Sequence, residues 1–398
     1  MNSKKNLIEK IIHGVFLTMT EKLYYSDSYI KEFEACVISC EKIDERYAVV
    51  LDKTAFFPEE GGQYSDKGLL GGARMLDAQE RDGIIYHYVD SPLTSGERVK
   101  GVIDFAERYD KMQCHTAEHI LSGLIHKIYG LDNVGFHLGR DDVTMDVSSP
   151  LSWESLIEIE RLANEAVYAN VTVSAIYPTS DELKSLSYRS KLDITENVRI
   201  INIGEYDSCA CCAPHVRRTG EIGLISILDA EKLRGGMRIH IAAGGRAYRI
   251  YRKMYENLAR ISHALSVPRL NTADAVAKTL SDLEEKKNEY KAARIAYFER
   301  EADLIETTSG NLVMTFADAT QDELRALANK SVNKVSGILV LLSGTDGEYK
   351  YLMASQNVDL KSEIKKINAA LMGRGGGSSV MVQGSFCATL EEIEKYFI

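Results

Sequence analysis

Hydrophobic and polar residues alternate along the first quarter of the chain. Between about residues 31 and 102 the alternation has period two, and Gly, Pro and Asp interrupt it. This pattern is typical of short, half-buried strands joined by turns, and it indicates a small β-barrel. One connection, residues 54–63, is longer and richer in Gly, Pro and Glu than a hairpin requires. Long loops on a rigid scaffold often carry function, so we expect this loop to contribute to a site.

The spacing of apolar residues becomes helical after the predicted barrel. Helices are predicted over residues 106–129 and 153–169. Strands are predicted near residues 171–176, 198–203, 223–228 and 237–242, which gives a mixed α+β domain. A stretch rich in Ala, Glu and Lys, residues 273–305, predicts one long helix whose apolar seam changes register near Lys287. The shift argues against a strict coiled coil and favours an amphipathic spacer that packs on a partner helix.

Strands and helices alternate again from residue 311 to residue 398, which predicts a compact α/β module with its own core. The predicted fold class is α+β, with an N-terminal small β-barrel, an α+β domain, a long helical linker and a C-terminal α/β module. The predicted boundaries are an N-terminal extension at 1–20, the barrel at 21–105, the α+β domain at 106–248, the linker at 249–308 and the module at 309–398.

Composition narrows the classes of function. The 398 residues carry a formal charge of −10 and are 45% hydrophobic, which excludes a disordered chain, a fibrous repeat and a uniformly basic nucleic-acid coat protein. The apolar run at residues 11–17 is too short for a membrane span and lacks a cleavage pattern. Seven cysteines, an odd count, argue against a disulfide framework. We therefore predict a cytoplasmic protein without a membrane segment.

A basic stretch reverses the acidic charge locally. Between Arg217 and Lys253, nine Lys and Arg residues are opposed by only three acidic residues. The stretch is either a solvated surface or a binding face for an anionic substrate such as nucleic acid. A second candidate anion site is the run Arg374-Gly375-Gly376-Gly377, which follows a predicted helix bearing Lys365 and Lys366. Glycine backbone amides can converge on an anion, although a flexible turn has the same composition.

Two pairs of potential metal ligands stand far apart in the sequence. His115 and His119 are four residues apart on a predicted helix, so their imidazoles lie on one face. Cys211 and His215 are four residues apart in a predicted turn. Three nitrogen ligands and one sulfur ligand suit a tetrahedral, borderline-soft ion, and we predict Zn²⁺. Four protein ligands leave no open position, so the ion is either structural or has one labile ligand.

Six short motifs follow one another from about residue 21. They are Leu23-Tyr24-Tyr25-Ser26-Asp27, Pro58-x-x-Gly61-Gly62-Gln63, His115-Thr116-Ala117-Glu118-His119, Gly135-Phe136-His137-Leu138-Gly139, Thr219-Gly220-Glu221-Ile222-Gly223 and Arg234-Gly235-Gly236-Met237-Arg238. In this order they resemble the free-standing alanyl-tRNA editing proteins of the AlaX type, in their long form. The C-terminal glycine run, together with Gln383-Gly384, resembles the DHH-associated domain of alanyl-tRNA synthetase.

The resemblance implies a zinc-dependent hydrolase that removes a wrong amino acid, chiefly serine but also glycine, from tRNA(Ala). Its zinc-binding editing domain would be residues 106–248, and its DHH-associated domain residues 309–398. The implied zinc ligands are His115, His119, Cys211 and His215, and the implied pocket residues are Gln63 and His137. The residues predicted to bind tRNA are Arg217, Arg218, Arg234, Lys365, Lys366, Arg374, Gly375, Gly376 and Gly377. The resemblance also implies that the C-terminal module binds tRNA or dimerises, and the apolar seam of the linker favours a homodimer.

The metal-binding turn departs from the family's pattern. The family commonly has Cys-Gly-Gly-Thr-His, whereas this chain has Cys211-Cys212-Ala213-Pro214-His215. Pro214 stiffens the turn, which leaves the amino-acid selectivity open. Cys209 or Cys212 is an alternative sulfur ligand to Cys211. Two other functions also stay open, namely a non-catalytic tRNA-binding protein with structural zinc and a deacylase of another aminoacyl-tRNA.

Overall fold

The computed structural model describes residues 19–140, 142–190 and 198–398, with the backbone of residues 10–12 and 15–17. The structure is mixed α+β, as predicted, and the chain divides into two units, the first ending at Asn257 and the second beginning at Leu258. Most of the predicted extension at 1–20 lies outside the described residues, and the five-segment division stays a prediction. None of the described helices has the length and apolarity that a membrane crossing requires.

The alternating region forms a closed barrel. Two short strand pairs lie outside the barrel, β1 (Lys10–Ile12) with β2 (Val15–Leu17) and β3 (Glu21–Lys22) with β6 (Lys53–Thr54). A single helical turn, α1 (Leu23–Ser26), follows β3. The barrel strands are β4 (Glu32–Ile43), β5 (Arg46–Leu51), β7 (Gly68–Leu70), β8 (Ala73–Arg81), β9 (Ile84–Val89) and β10 (Arg98–Ile103). They close in the order β10-β4-β5-β9-β8-β7, and aliphatic residues such as Val49, Ile85 and Val89 fill the interior.

Helix α2 (Phe105–Tyr129) follows the barrel directly and carries the histidine pair. The Asp104 side chain caps its N-terminus by accepting a 3.1 Å hydrogen bond from the Glu107 backbone N–H, and Gly130 ends it in the left-handed conformation. Its central turns are buried on all sides, so the helix passes through the unit rather than lying on its surface. The histidine pair of the sequence therefore lies in the interior.

A buried ion pair fastens the long barrel loop to this helix. The Arg108 and Asp66 side chains are both fully buried, and Arg108 Nε donates to Asp66 Oδ2 at 2.8 Å. The same guanidinium donates to the Ala55 carbonyl at 2.6 Å, and Asp66 Oδ2 accepts from the Phe57 backbone N–H at 2.7 Å. Lys111 Nζ donates to the Ser65 carbonyl at 2.8 Å. These bonds hold both ends of the loop against the first turns of α2.

Two further sheets surround α2 in the first unit. A four-stranded sheet has the order β11-β12-β17-β16, with β11 (Asn133–Leu138), β12 (Val143–Val147), β16 (Ile225–Leu233) and β17 (Gly236–Ala243). A three-stranded sheet consists of β13 (Val173–Ile176), β14 (Ile200–Ile203) and β15 (Asp207–Ala210). The helices here are α3 (Trp153–Ala169) and the single turn α4 (Ser180–Leu183). Strands β11 and β12 have no counterpart among the predicted elements, because Gly and Asp interrupt their apolar alternation.

The second unit contains a long helix and a five-stranded sheet. Helix α5 (Gly244–Leu265) crosses the boundary between the units, and α6 (Thr272–Leu304) follows it. The remaining elements are β18 (Leu312–Phe316), α7 (Gln321–Ser331), β19 (Leu339–Ser343), β20 (Tyr349–Ala354), α8 (Leu360–Ala370), β21 (Arg374–Gly377), β22 (Met381–Phe386) and α9 (Leu390–Phe397). The sheet order is β18-β19-β20-β22-β21. The seam shift in α6 has a physical cause, since Phe298 and Ala302 beyond it are buried against this module while Leu280 before it is exposed.

The C-terminal glycine run is a strand rather than an anion-binding turn. Arg374–Gly377 forms the edge strand β21 and pairs with β22. Gly375 has φ of 152°, and a Cβ there would lie 2.5 Å from the Tyr351 hydroxyl and 2.3 Å from the Gln383 carbonyl. The glycine is therefore required by close packing over the Tyr351 ring. The run is therefore an edge strand and not a turn, and its contact with an anion stays a prediction.

Candidate metal centre

Four side chains from two distant segments converge inside the first unit. His115 and His119 extend from successive turns of α2, while Cys211 and His215 belong to the turn that follows β15. The candidate ligand atoms of all four lie within 4.8 Å of one another. Cys211 Sγ is 3.6 Å from His115 Nε2 and 3.4 Å from His215 Nε2. The structure thus brings together the four ligands predicted from the sequence.

Two of the imidazoles are held through the nitrogen that faces away from the cluster. His115 Nδ1 lies 2.9 Å from Gln63 Oε1, and His119 Nδ1 lies 2.8 Å from Asp207 Oδ2. A carbonyl oxygen and a carboxylate oxygen accept hydrogen bonds, so each Nδ1 carries the proton. Each Nε2 is then left with a lone pair directed to the cluster. Metal-binding histidines are commonly oriented in this way, by a hydrogen bond from the ring nitrogen that does not face the metal.

The third imidazole is held by a hydroxyl of the same helix. Thr116 Oγ1 donates to the Met112 carbonyl at 2.7 Å, and it lies 3.0 Å from His215 Nδ1. Because the hydroxyl proton is already used, the oxygen accepts from His215 Nδ1–H. His215 therefore also presents a lone pair on Nε2. Three nitrogens and one sulfur, each oriented by a hydrogen bond or by the turn, fit a borderline-soft divalent ion.

The charges within the cluster favour a bound cation. Burial alone would raise the pKa of the Cys211 thiol, but the imidazoles of His115 and His215 lower it well below its usual value. Burial lowers the pKa of His215 to about 3, so this ring is neutral. Burial would also lower the pKa of His119, yet hydrogen bonds to Asp207 and Cys211 raise it well above 6.5, so a bound metal has to displace a proton to reach the lone pair on His119 Nε2. The cluster therefore supplies a thiolate and stabilises a positive charge at its centre, as a metal site must.

Arg189 holds Asp207 in place behind His119. Its guanidinium donates to both carboxylate oxygens, from Nε to Oδ1 at 2.7 Å and from Nη2 to Oδ2 at 2.9 Å. Burial would raise the pKa of Asp207, but His119 and Arg189 keep it below its usual value. Asp207 thus remains a carboxylate that accepts a hydrogen bond from His119 Nδ1–H and fixes the ring.

Replacing Asp207 with asparagine should weaken metal binding by about 10- to 100-fold, because the amide has one acceptor oxygen for two donors. The metal dissociation constant, measured by competition with a chromogenic chelator, tests this. Asp181→Asn is the matched control, since Asp181 pairs with Lys184 at the surface and is 93% exposed. Equal affinities for the Asp207 variant and the wild type would show that the carboxylate does not orient the ligand.

A cavity of about 380 Å³ lies beside the cluster. Its walls include His115, His119 and Cys211, together with Glu118 and Asn133. Further wall residues are Tyr25, Glu60, Gly61, Phe136, Tyr177, Arg189, Ser190, Val198, Arg199, Cys209, Ala210 and Cys212. The ligand cluster is consequently within reach of a small molecule.

Gln63 lies at the cluster in a role that differs from the predicted one. Its side chain is fully buried and bonds to His115, so it positions a ligand and is not part of the cavity wall. The loop reaches this place because Gly62 has φ of 81°, and a Cβ there would lie 2.1 Å from the Phe136 carbonyl. The Leu138 backbone N–H also donates to the Gly62 carbonyl at 2.8 Å. The double glycine of the loop thus permits its close approach to β11.

His137 is not brought to the cluster. It is exposed, and it is absent from the described wall of the cavity. Its neighbour Phe136 lines the cavity instead, with its ring centroid 4.8 Å from that of His115. Successive residues of a strand point to opposite faces, so only one of the two can face the cluster. The structure therefore gives no support to a catalytic role for His137.

The basic residues predicted to bind tRNA are at the surface. Arg217 pairs with Asp27 at 2.9 Å, and Arg218 and Arg234 are also exposed in the first unit. Lys365, Lys366 and the strand Arg374–Gly377 are exposed in the second unit. Part of the basic stretch is internal, however, because Arg246 is buried and pairs with Asp110 at 2.6 Å. Contact of the exposed residues with tRNA stays a prediction.

Sequence reasoning missed the residues that orient the ligands. Thr116 lies between the two histidines, and Asp207 lies four residues before Cys211. A carboxylate near a metal-binding turn and a hydroxyl inside a histidine pair are signals for orienting partners. Arg189 and Asn133 carry no comparable signal, since only the fold brings them to the cluster.

Two family models match the chain. Residues 198–240 match the threonyl and alanyl tRNA synthetase second additional domain, and residues 8–107 match the class II (A) tRNA synthetases. The first match contains Cys211 and His215.

Known proteins resemble the chain over most of its length. It is 31% identical to the alanyl-tRNA editing protein AlaX-L of Pyrococcus horikoshii, covering 94% of this chain and 96% of that protein. It is 33% identical to the alanine–tRNA ligase of Halorubrum lacusprofundi over 91% of its own length, but it spans only 41% of that ligase. The crystal structure of the C-Ala domain of Aquifex aeolicus alanyl-tRNA synthetase matches the chain at 21% identity and a TM-score of 0.21. The match covers 23% of this chain and 95% of the C-Ala chain.

Proposed function

The chain belongs to the family of alanyl-tRNA editing proteins, and we propose that it hydrolyses the ester that joins serine to tRNA(Ala). Membership makes it an aminoacyl-tRNA deacylase, whereas the preference for serine and glycine over alanine is the proposal. The observation that carries it is the cluster of three imidazoles and one thiol, of which His115, His119 and Cys211 lie in the wall of a cavity of about 380 Å³. A cavity of this size accommodates an aminoacyl group with part of its nucleoside.

We propose Zn²⁺ as the resident ion, held by His115, His119, Cys211 and His215. When bound, zinc polarises an ester carbonyl or lowers the pKa of a bound water towards about 7. The surrounding residues fix the ligands before a substrate arrives: Gln63 holds His115, and Asp207 holds His119. Because these side chains are already in place, the ligands do not have to reorient during the reaction.

The aromatic part of the cavity suits the terminal adenosine of tRNA. The Tyr25 and Tyr177 ring centroids are 6.5 Å apart, and Tyr177 is 56% exposed. The Arg199 guanidinium lies 5.2 Å from the centre of the Tyr25 ring. Nucleobases stack on aromatic faces, and guanidinium groups bind phosphates. We propose that the adenosine stacks here while its ester reaches the metal cluster.

The wider tRNA is proposed to contact the exposed basic residues of both units. In the first unit these are Arg217, Arg218 and Arg234, and in the second they are Lys365, Lys366 and Arg374. The strand glycines Gly375, Gly376 and Gly377 offer a side-chain-free edge beside them. Action in the cytoplasm and homodimerisation through the linker and the module belong to the same proposal.

A panel of charged tRNAs tests the function. Metal-loaded protein should deacylate Ser-tRNA(Ala) and Gly-tRNA(Ala) about 10- to 100-fold faster than Ala-tRNA(Ala), the range expected of small side-chain differences. Release of labelled amino acid gives the rates. Failure to cleave any member would refute the function, and equal rates for serine and alanine would refute the selectivity. Faster cleavage of another aminoacyl-tRNA would instead favour the alternative function, a deacylase of a different aminoacyl-tRNA. The departure of Cys212-Ala213-Pro214 from the family's pattern left this alternative open.

One observation favours a second candidate, a non-catalytic tRNA-binding protein. Four protein ligands complete a tetrahedral site, as in structural zinc sites, whereas catalytic sites keep one position open. This candidate predicts tRNA binding that weakens steeply with salt, without turnover on any member of the panel.

A further inference from the structure

Glu118 is a buried carboxylate that lies beside the candidate metal ligands and is not one of them. It precedes His119 on α2, it is 5% exposed, and it lines the cavity. It does not belong to the group of candidate ligands formed by His115, His119, Cys211 and His215. A buried carboxylate is costly unless it is bonded or serves a ligand, so its surroundings indicate its role.

One of its oxygens is fixed by two donors. Ser122 Oγ and Asn133 Nδ2 both donate to Glu118 Oε1. Asn133 is itself oriented, because its Oδ1 accepts from the Gly135 backbone N–H at 3.0 Å and its Nδ2 also donates to Ser122 Oγ at 2.9 Å. These neutral donors set the direction of the carboxylate without neutralising its charge.

The other oxygen, Oε2, is left for a ligand. The donors found for this carboxylate among residues 19–140, 142–190 and 198–398 are Ser122 and Asn133, both of which bond to Oε1, and no donor to Oε2 is found there. The nearby cation Arg189 is already bonded to both oxygens of Asp207. Glu118 therefore presents a negatively charged acceptor to the cavity, close to the ligands of the metal.

Every aminoacyl ester carries a positive group at a fixed distance from the bond to be cleaved. Its α-ammonium is attached to the carbon next to the ester carbonyl, whichever side chain the amino acid has. We propose that Glu118 Oε2 binds this α-ammonium and thereby selects substrates whose amine is free. The inference rests on the proposed deacylase function and restricts its substrates to aminoacyl-tRNAs with a free amine. tRNAs with a blocked amine, such as peptidyl-tRNAs, are then not cleaved.

The experiment compares one substrate in two forms with two proteins. Ser-tRNA(Ala) and N-acetyl-Ser-tRNA(Ala) are incubated with the wild type and with Glu118→Gln. The wild type should prefer the free amine by about 10- to 100-fold, as expected for a charge-assisted hydrogen bond. The variant should lose most of this preference, because its amide N–H faces the ammonium and its charge is gone. Acetylation also adds bulk, but bulk alone would penalise both proteins equally.

Glu59→Gln is the matched control, since Glu59 is an exposed glutamate of the barrel loop. It should keep the wild-type preference, and all three proteins should keep the same metal content and circular dichroism. An unchanged preference in the Glu118 variant would overturn the inference.

Binding of a non-hydrolysable analogue separates this inference from the proposed function. Calorimetry compares 3′-seryl-amino-adenosine with its N-acetyl form on both proteins. If the wild type hydrolyses neither tRNA, the deacylase proposal fails, and the analogue still decides the role of Glu118. Wild-type preference for the free amine that disappears in Glu118→Gln supports the contact, and equal binding of both analogues by the wild type refutes it.

Discussion

Replacing His115 with alanine is expected to lower deacylation of Ser-tRNA(Ala) by about 10³-fold or more and to leave the protein without its metal. His115 supplies one of four ligand atoms, and its Nε2 lies 3.6 Å from Cys211 Sγ. Its loss leaves three ligands and an unpaired Gln63 Oε1 in the interior. Metal content by atomic emission and initial rates on Ser-tRNA(Ala) measure the two effects.

His126→Ala is the matched control for this variant. His126 lies on the same helix, pairs with Asp132 at 3.1 Å and is 48% exposed, so its loss should change neither quantity. Circular dichroism and the fluorescence of Trp153, the single tryptophan, report whether the first unit stays folded. A folded, metal-free and inactive His115 variant supports the catalytic role of the ion. An unfolded variant, together with a wild type that cleaves nothing, would favour the structural-zinc candidate.

The elements that sequence patterns predict well are those whose signals are local. The helices predicted over residues 106–129 and 153–169 are found at Phe105–Tyr129 and Trp153–Ala169. The start of the second helix is fixed locally by Ser152, whose side chain accepts a hydrogen bond from the Ser155 backbone N–H. The glycine strand Arg374–Gly377 was missed for the opposite reason, since its Gly375 is required by Tyr351, a residue more than twenty positions away.

The site shows the same division between local and distant causes. Spacing of four residues places His115 and His119 on one helix face, so the ligands follow from local geometry. The roles of Gln63 and His137 depend on how a barrel loop and a later strand approach that helix. Gln63 proved to lie behind His115, and His137 is exposed outside the cluster. The sequence motif around each of these residues does not predict in which direction its side chain points.

Replacing Arg108 with methionine is expected to destabilise the first unit by about 3–5 kcal/mol, which is the usual cost of leaving a buried charge without its partner. The Asp66 carboxylate would keep the Phe57 N–H but lose the guanidinium, and the Ala55 carbonyl would lose its donor. Urea unfolding followed by Trp153 fluorescence measures the change. Arg98→Met is the control on the same barrel, because Arg98 and Glu34 are mostly exposed and lie 3.6 Å apart; it should cost less than about 1 kcal/mol.

The same variant should also weaken the metal site, although Arg108 touches none of its ligands. Asp66 lies three residues after Gln63, and Gln63 orients His115. Arg108 binds Asp66 and so fastens this segment to the helix that bears the histidine. A loop that is free to shift cannot hold the ring as firmly, so the metal dissociation constant should rise together with the loss of stability. Destabilisation without any change in metal affinity would mean that Gln63 keeps its place through β11 alone, where Leu138 bonds to the Gly62 carbonyl. The ion pair between the barrel loop and the helix would then contribute to stability but not to the position of the candidate metal ligands.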